Sequence, residues 1–353
     1  MWRLLAVFTF VAALAGIFLV AQRFIPVRYV APAPVESAPS ATTGTEPTLL
    51  AVASSTGAVA TSTAASATVL SPAETIRRLQ DTAAALRDAL VNIICITPKG
   101  SPFHSISATG VFITDTGYIL TSAHVAAYFL LADKGISCSI RTGNPATVAY
   151  RAKLAYISMA WVKQHSRLLL EVAPLGTGEY DFGVLAATES ATEASFPIQF
   201  PHVSLAAGEV SLDIPVVAGS YGAQDLSLKQ IQSALAPTIV ASSVKRLLTF
   251  DTSTVDVFDL GGSAVAQEGS SGGGILSLDK KLIGSITTST VSGTIVSRSL
   301  SAISASYIRR QYRAETSTTF EALLALPPTV ATLLFAPKIP ALEAQIASSS
   351  PNR

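Results

Sequence analysis

Charge is scarce in this chain, and what there is nearly cancels. Charged side chains make up 13% of the 353 residues, 24 basic against 23 acidic. So even a balance leaves no basic face to track a phosphate backbone, which excludes nucleic-acid binding as the basis of function. Cysteine and histidine are sparse too, with two and four residues. Cys95, Cys138, His104, His124, His165 and His202 show none of the short spacings of a metal site, so no metal is expected, and nothing points to a cofactor. Outside the cytoplasm an even cysteine pair can form a disulfide. Both residues, however, lie in apolar strand-like runs, where a free cysteine packs as a small hydrophobe. The free state is favoured, because spacing alone does not show two Cα atoms within bonding reach.

Two segments are defined by what they omit. Residues 4–21 carry no charge and reach the length at which a helix spans the hydrocarbon core. Leu19-Val20-Ala21 is only a fair cleavage site and Gln22-Arg23-Phe24 follows directly, so residues 1–23 are expected to be a retained signal anchor that holds the chain to a membrane. Charge does not set its orientation, with Arg3 on one side and Arg23 and Arg28 on the other. Residues 31–70 are almost only Ala, Pro, Ser, Thr, Val and Gly, with Glu36 and Glu46 as their sole charges. Such a stretch has too little apolar surface to offset chain entropy, so residues 24–70 are expected to be a disordered tether.

The rest has the content of one folded unit. Residues 71–326 suit a single all-β domain, which commonly runs about 200–250 residues. Ser71-Pro72-Ala73-Glu74 is a capping box with proline at the first helical position, predicting a helix to about residue 89. Ile76, Leu79, Ala83, Leu86 and Leu90 share its apolar face, which is expected to pack on the first half of the fold. Val91–Ile96 then reads as the first strand, and strands are expected at 210–212, 215–219 and 238–240, with a helix over 302–314.

Three ordered motifs carry chemistry. Thr121-Ser122-Ala123-His124 ends a strand that follows a hairpin signal, Thr114-Asp115-Thr116-Gly117. Tyr180-Asp181-Phe182 puts a lone carboxylate at the mouth of an apolar strand, where burial is costly unless something bonds to it. Gly269-Ser270-Ser271-Gly272-Gly273 surrounds a serine with glycines that permit a tight turn and leave amides free. A hydroxyl is a poor nucleophile at neutral pH. Hydrolysis by serine needs an imidazole to take its proton, a carboxylate to orient that imidazole, and amide donors for the oxyanion.

With these residues quoted, the chain resembles trypsin-like serine proteases of the HtrA/Deg type. Asp115 to Val125 is similar to the family's D-x-G-Y-I-L-T-x-A-H-V, Asp181 to Leu185 to D-x-A-V-L, and Gly269 to Leu276 to G-N-S-G-G-x-L. The resemblance covers most of residues 90–312. It implies two six-stranded antiparallel barrels with flanking helices, with Ser271 as nucleophile, His124 as general base and acid, and Asp181 as its partner. The amides of Gly269 and Ser271 would form the oxyanion hole. Thr287 is similar to the hydroxyl residue that donates to the carboxylate, on a strand similar to the one lining the substrate cleft. Val265 falls at the base of the specificity pocket, with Ser289 and Gly293 on its walls. Lacking an acid there, the pocket is expected to take small or medium aliphatic side chains. Ser270 stands where an asparagine or aspartate is usual, so activation by a newly cut amino terminus is not expected.

The implied function is a membrane-tethered, extracytoplasmic endopeptidase whose partners are unfolded or exposed polypeptide segments. The alternative is a catalytically silent scaffold that binds peptides at the cell envelope, since the stretch between Asp133 and Asp181 is longer than the family core needs. A dedicated processing protease is a third reading. Such folds often form homotrimers, although nothing in this sequence specifies the oligomer. Residues 327–353 form a C-terminal tail too short for the PDZ module that often follows this protease type.

Overall fold

Apolar strands punctuated by Gly, Pro and Asp turns build two sheets whose facing ends define the site. In the computed structural model, residues 28–29, 71–171, 177–250, 253–289 and 299–349 are described. A short strand β1 (Arg28–Tyr29) is followed by β2 (Leu90–Ile96), β3 (Ile106–Phe112), β4 (Tyr118–Thr121), β5 (Ser137–Thr142), β6 (Thr147–Ile157) and β7 (Gly183–Ser190). β2 to β7 close into a barrel in the order β2-β3-β4-β7-β6-β5. The second sheet uses β8 (Pro215–Ser220), β9 (Thr238–Ser243), β10 (Arg246–Thr249), β11 (Val257–Asp259), β12 (Gly274–Ser277), β13 (Leu282–Ser289) and β14 (Leu300–Ser304), in the order β1-β10-β11-β14-β13-β12-β8-β9.

The expectation of two six-stranded barrels therefore holds for the first and needs correction for the second. There the hydrogen-bonded ladder runs from β1 to β9 without joining. Closure comes from the chain itself, because β9 continues into β10 through Val244 and Lys245. Val244 accepts from the Asp213 amide at 2.9 Å, and the Lys245 amide donates to Asp259 at 2.8 Å, so the bend pairs with one neighbour on each side. Counting β9 and β10 as one bent strand leaves six strands besides the short β1. Phe258, Val265, Ile275, Ile286 and Ala302 are enclosed in the core of this half.

Helix α1 (Pro72–Ala89) is capped by Ser71, whose hydroxyl accepts from the Glu74 amide at 3.2 Å. The reciprocal half of the capping box is not made, because the Glu74 carboxylate pairs with Arg77 and Arg78 instead. The helix leads into the first barrel but packs chiefly on β8, β9 and β12 of the second sheet, correcting the expected docking. Its buried residues are Thr82, Leu86 and Ala89, whereas Ile76 is 57% exposed. Gly219 explains the choice of surface: a Cβ there would lie 2.9 Å from a Leu86 methyl and 2.5 Å from one of Ile239.

Other expectations shift in detail. Residues 210–212 are loop, and the strand β14 occupies Leu300–Ser304, so the predicted helix starts later, as α5 (Ala305–Thr316) capped by Ser304; α2 (Ala123–Ala126), α3 (Met159–His165) and α4 (Leu228–Ala234) lie in earlier connections. Cys95 and Cys138 are directly opposed on β2 and β5 and form a disulfide, against the favoured free state. Residue spacing could not show this, since register alone brings the two Cα atoms within 4.1 Å.

Beyond α6 (Phe320–Leu324), α7 (Pro328–Phe335) packs on β6 and β7, and α8 (Ile339–Ser349) packs on α3. The run Pro328–Ser349 is the one described helix long and apolar enough to cross a membrane. Ala331, Phe335, Leu342 and Ile346 face inward from it. The expected anchor at residues 4–21 and the tether at 31–70 lie outside the described residues.

Candidate active site

Register sets the first half of the site. β4 and β7 are antiparallel with Thr121 opposite Gly183, so the segments just after β4 and just before β7 leave the barrel at the same end. They carry His124 and Asp181. Asp181 is 5% exposed, and its carboxylate accepts three hydrogen bonds: the His124 amide at 3.0 Å on Oδ1, and His124 Nδ1 at 2.9 Å and Thr287 Oγ1 at 2.6 Å on Oδ2. These donors are what makes a buried charge tolerable. The turn presenting it is fixed by Tyr180 in the left-handed region, φ 59°, whose amide donates to buried Tyr307 Oη at 3.1 Å.

The same contacts govern protonation. Burial opposes charge on both groups, yet the adjacent imidazole and the hydrogen bonds from His124 and Thr287 hold the Asp181 carboxyl below the usual carboxylate range. Burial likewise pushes the His124 imidazole down, and the Asp181 charge and hydrogen bond more than offset it, leaving its pKa above the ordinary histidine value. With Nδ1–H committed to Asp181, the neutral ring carries its lone pair on Nε2. The side chain of His124 is 25% exposed, so that nitrogen has an outlet toward solvent.

Ser271 comes from the second sheet, on the loop before β12. Gly269 and Gly272 both adopt left-handed conformations, φ 88° and 82°. At Gly272 a Cβ would lie 2.1 Å from the Thr109 carbonyl and 2.3 Å from Thr121 Oγ1, so the loop presses directly on the first barrel. The Ile286 carbonyl accepts from the Gly272 amide at 2.7 Å and from Ser122 Oγ at 3.2 Å, joining the residue after Ser271 to the segment bearing His124. Among the described residues the amides of Gly269 and Ser271 have no acceptor, and Ser271 Oγ makes no hydrogen bond to His124. In unliganded enzymes that last contact is often long and tightens only around substrate. Ser270 points inward, 1% exposed, accepting from Ser220 Oγ at 2.9 Å and donating to the Val265 carbonyl.

The proposed pocket residues fare differently. Val265 is fully enclosed in the second core, so its side chain is packing here rather than pocket surface. Counting from the serine finds its position in the chain but not whether space opens above it. Thr287 spends its hydroxyl on Asp181 at 2.6 Å, the contact expected of the residue similar to the carboxylate's donor, and so does not offer it to a substrate pocket. Ser289 ends β13 opposite Leu300, and Gly293 lies outside the described residues. Among the described residues no cluster of His, Cys, Asp and Glu could hold a metal. Sequence reasoning missed Thr109, Ser122, Tyr221 and Tyr307, whose hydroxyls bond across strands remote in the chain.

Comparison with known proteins gives the family. The family model for the trypsin-like peptidase domain matches residues 108–284. Among solved structures, the active form of the Rv3671c protease from M. tuberculosis is 18% identical with a TM-score of 0.40, covering 67% of this chain and 85% of that one. Deg5 is 16% identical with a TM-score of 0.42, covering 67% and 93%. No curated protein matches the sequence.

Proposed function

Since the chain belongs to the trypsin-like peptidase family, we propose that this serine protease is a membrane-tethered, extracytoplasmic endopeptidase of the HtrA/Deg type. The observation that carries the reading is the buried Asp181 carboxylate bonded to His124 Nδ1, set against a serine loop with two unspent amides. In the proposed cycle Ser271 Oγ attacks the scissile carbonyl while His124 Nε2 takes its proton, and Asp181 stabilises the imidazolium. The negative oxygen of the tetrahedral intermediate is received by the Gly269 and Ser271 amides. His124 then protonates the leaving amine, and water, deprotonated by the same nitrogen, releases the acyl group from Ser271.

Substrates would be unfolded or exposed polypeptide segments. A preference for small or medium aliphatic residues before the cut is supported by the absence of an acid at position 265, not by the enclosed Val265 side chain, because a buried lysine or arginine would leave its charge unpaired. The uncharged segment at residues 4–21 supports the tether. A silent peptide-binding scaffold is the competing reading, favoured by the enclosed Val265 and the unbonded Ser271 hydroxyl. A fluorophosphonate probe separates them. Labelling of the wild type but not of Ser271→Ala supports the enzyme; a folded, unlabelled wild type supports the scaffold.

A further inference from the structure

Among the described residues no ion pair holds the serine loop; its hydroxyl and carbonyl contacts are neutral. Ser270, just before the proposed nucleophile, spends its hydroxyl on neutral partners. What keeps the two oxyanion amides aimed must therefore be sought in the carbonyls on the same peptide planes and on the planes that adjoin them. A peptide plane is rigid, so fixing a carbonyl fixes the amide attached to it.

Every carbonyl from Glu268 to Ser271 has a donor. Glu268 accepts from the Ala223 amide at 2.7 Å, Ser270 from the Gly273 amide at 2.9 Å, and Ser271 from the Thr109 amide at 2.9 Å. Gly269 accepts from Thr109 Oγ1 at 2.8 Å. The Gly269 and Ser271 amides share their planes with the Glu268 and Ser270 carbonyls, and Thr109 holds the two planes that flank the second of these, at Gly269 through its hydroxyl and at Ser271 through its amide. Its hydroxyl is also an acceptor, for the Tyr221 amide at 2.9 Å. The residue is fully buried on β3 of the first barrel, and its own carbonyl accepts from Thr121 Oγ1 at 2.7 Å. The neighbouring segment is braced in turn, since the Ile231 and Gln232 carbonyls near the end of α4 accept from the buried Arg141 guanidinium at 2.9 and 2.7 Å.

We infer that Thr109 is a positioning residue of the oxyanion hole: its hydroxyl bridges Tyr221 and Gly269 and so clamps the nucleophile loop of one sheet to the other barrel. It touches no substrate. The inference rests on the protease reading above. A valine at this site keeps the shape but takes the partner from the Gly269 carbonyl and the Tyr221 amide, which frees the plane next to that of the Ser271 amide and loosens the segment whose Ala223 amide holds the plane of the Gly269 amide, weakening donation to the oxyanion.

The test uses the full chain with a peptide substrate and with a peptidyl aldehyde, whose hemiacetal oxygen occupies the same pair of amides. Thr109→Val is expected to lower kcat on the order of 10–100-fold with KM changed less than about threefold, and to weaken the aldehyde by a similar factor. Binding of a product peptide acid should stay within about twofold, and Thr109→Ser should restore kcat to within about threefold. Should the valine variant not fold, Thr109→Cys carries the test, with a smaller fall in kcat at constant KM. Full activity in a folded Val or Cys variant, or equal losses in aldehyde and product binding, overturns the inference while leaving the protease reading intact. A folded wild type inert to fluorophosphonate overturns both.

Discussion

His124 and Asp181 stand at the rim of the first barrel and depend on one another's charge, whereas Ser271 stands on a loop of the second sheet in which the bonds that hold it are neutral. The carboxylate of Asp181 has three donors around it, and removing any leaves a buried charge short of partners. Ser270, in the equivalent supporting position of the other half, is satisfied by a hydroxyl and a carbonyl. The difference assigns tasks. Proton traffic and its pH dependence belong to the first barrel, while the oxyanion hole should be indifferent to pH and to a cleaved amino terminus. Thr287 crosses the divide, being the second sheet's contribution to the charged half.

Breaking the comparison at its most sensitive point means removing the proposed nucleophile. Ser271→Ala is expected to cut kcat by roughly 10⁶-fold and abolish fluorophosphonate labelling, with the melting temperature little changed. Asp181→Asn leaves the geometry but removes the charge and favours the wrong tautomer, so a loss of about 10⁴-fold is expected in steady-state turnover. On the neutral side, Ser270→Asp places a carboxylate beside the Val265 carbonyl with only Ser220 to donate. A drop in melting temperature and on the order of 100-fold in kcat is expected, from burial of an unpaired charge. Were that variant to become active only after amino-terminal cleavage, the loop would be convertible to a zymogen type after all. Smallest in activity, the Cys95→Ser/Cys138→Ser double variant should keep kcat within about twofold while losing about 2–4 kcal/mol of stability in denaturant unfolding. A larger loss of activity than of stability would place the disulfide in the site's mechanics.

Much of this was legible before any coordinates. The three motifs led to His124, Asp181 and the Gly269–Gly273 turn because that chemistry demands rare residue types in rare surroundings. The cap of α1 was legible from Ser71 and Pro72, since both act on local backbone groups. Legibility ended where partners are remote in the chain. That α1 settles on β8 depends on Gly219 making room for Leu86, which no periodicity in α1 reveals. The cysteine pair depends on β2–β5 register, and the Thr109 clamp depends on a loop 160 residues further on meeting β3. The continuation of β9 into β10 through Val244 and Lys245 was hidden for a related reason, because Ser242, Ser243, Lys245 and Arg246 interrupt the apolar pattern there and nothing local marks the bend.

The charged pair offers the most direct test of the whole account. Measured against pH, the second-order rate of fluorophosphonate inactivation reports how much His124 is neutral. Because the Asp181 charge raises the imidazole pKa above its usual value of about 6.5, the rate should climb with pH through a single limb whose midpoint lies above that value. In Asp181→Asn the midpoint should move down. A rate independent of pH, or a midpoint that the substitution leaves in place, would contradict the assignment of His124 and Asp181 as one catalytic unit.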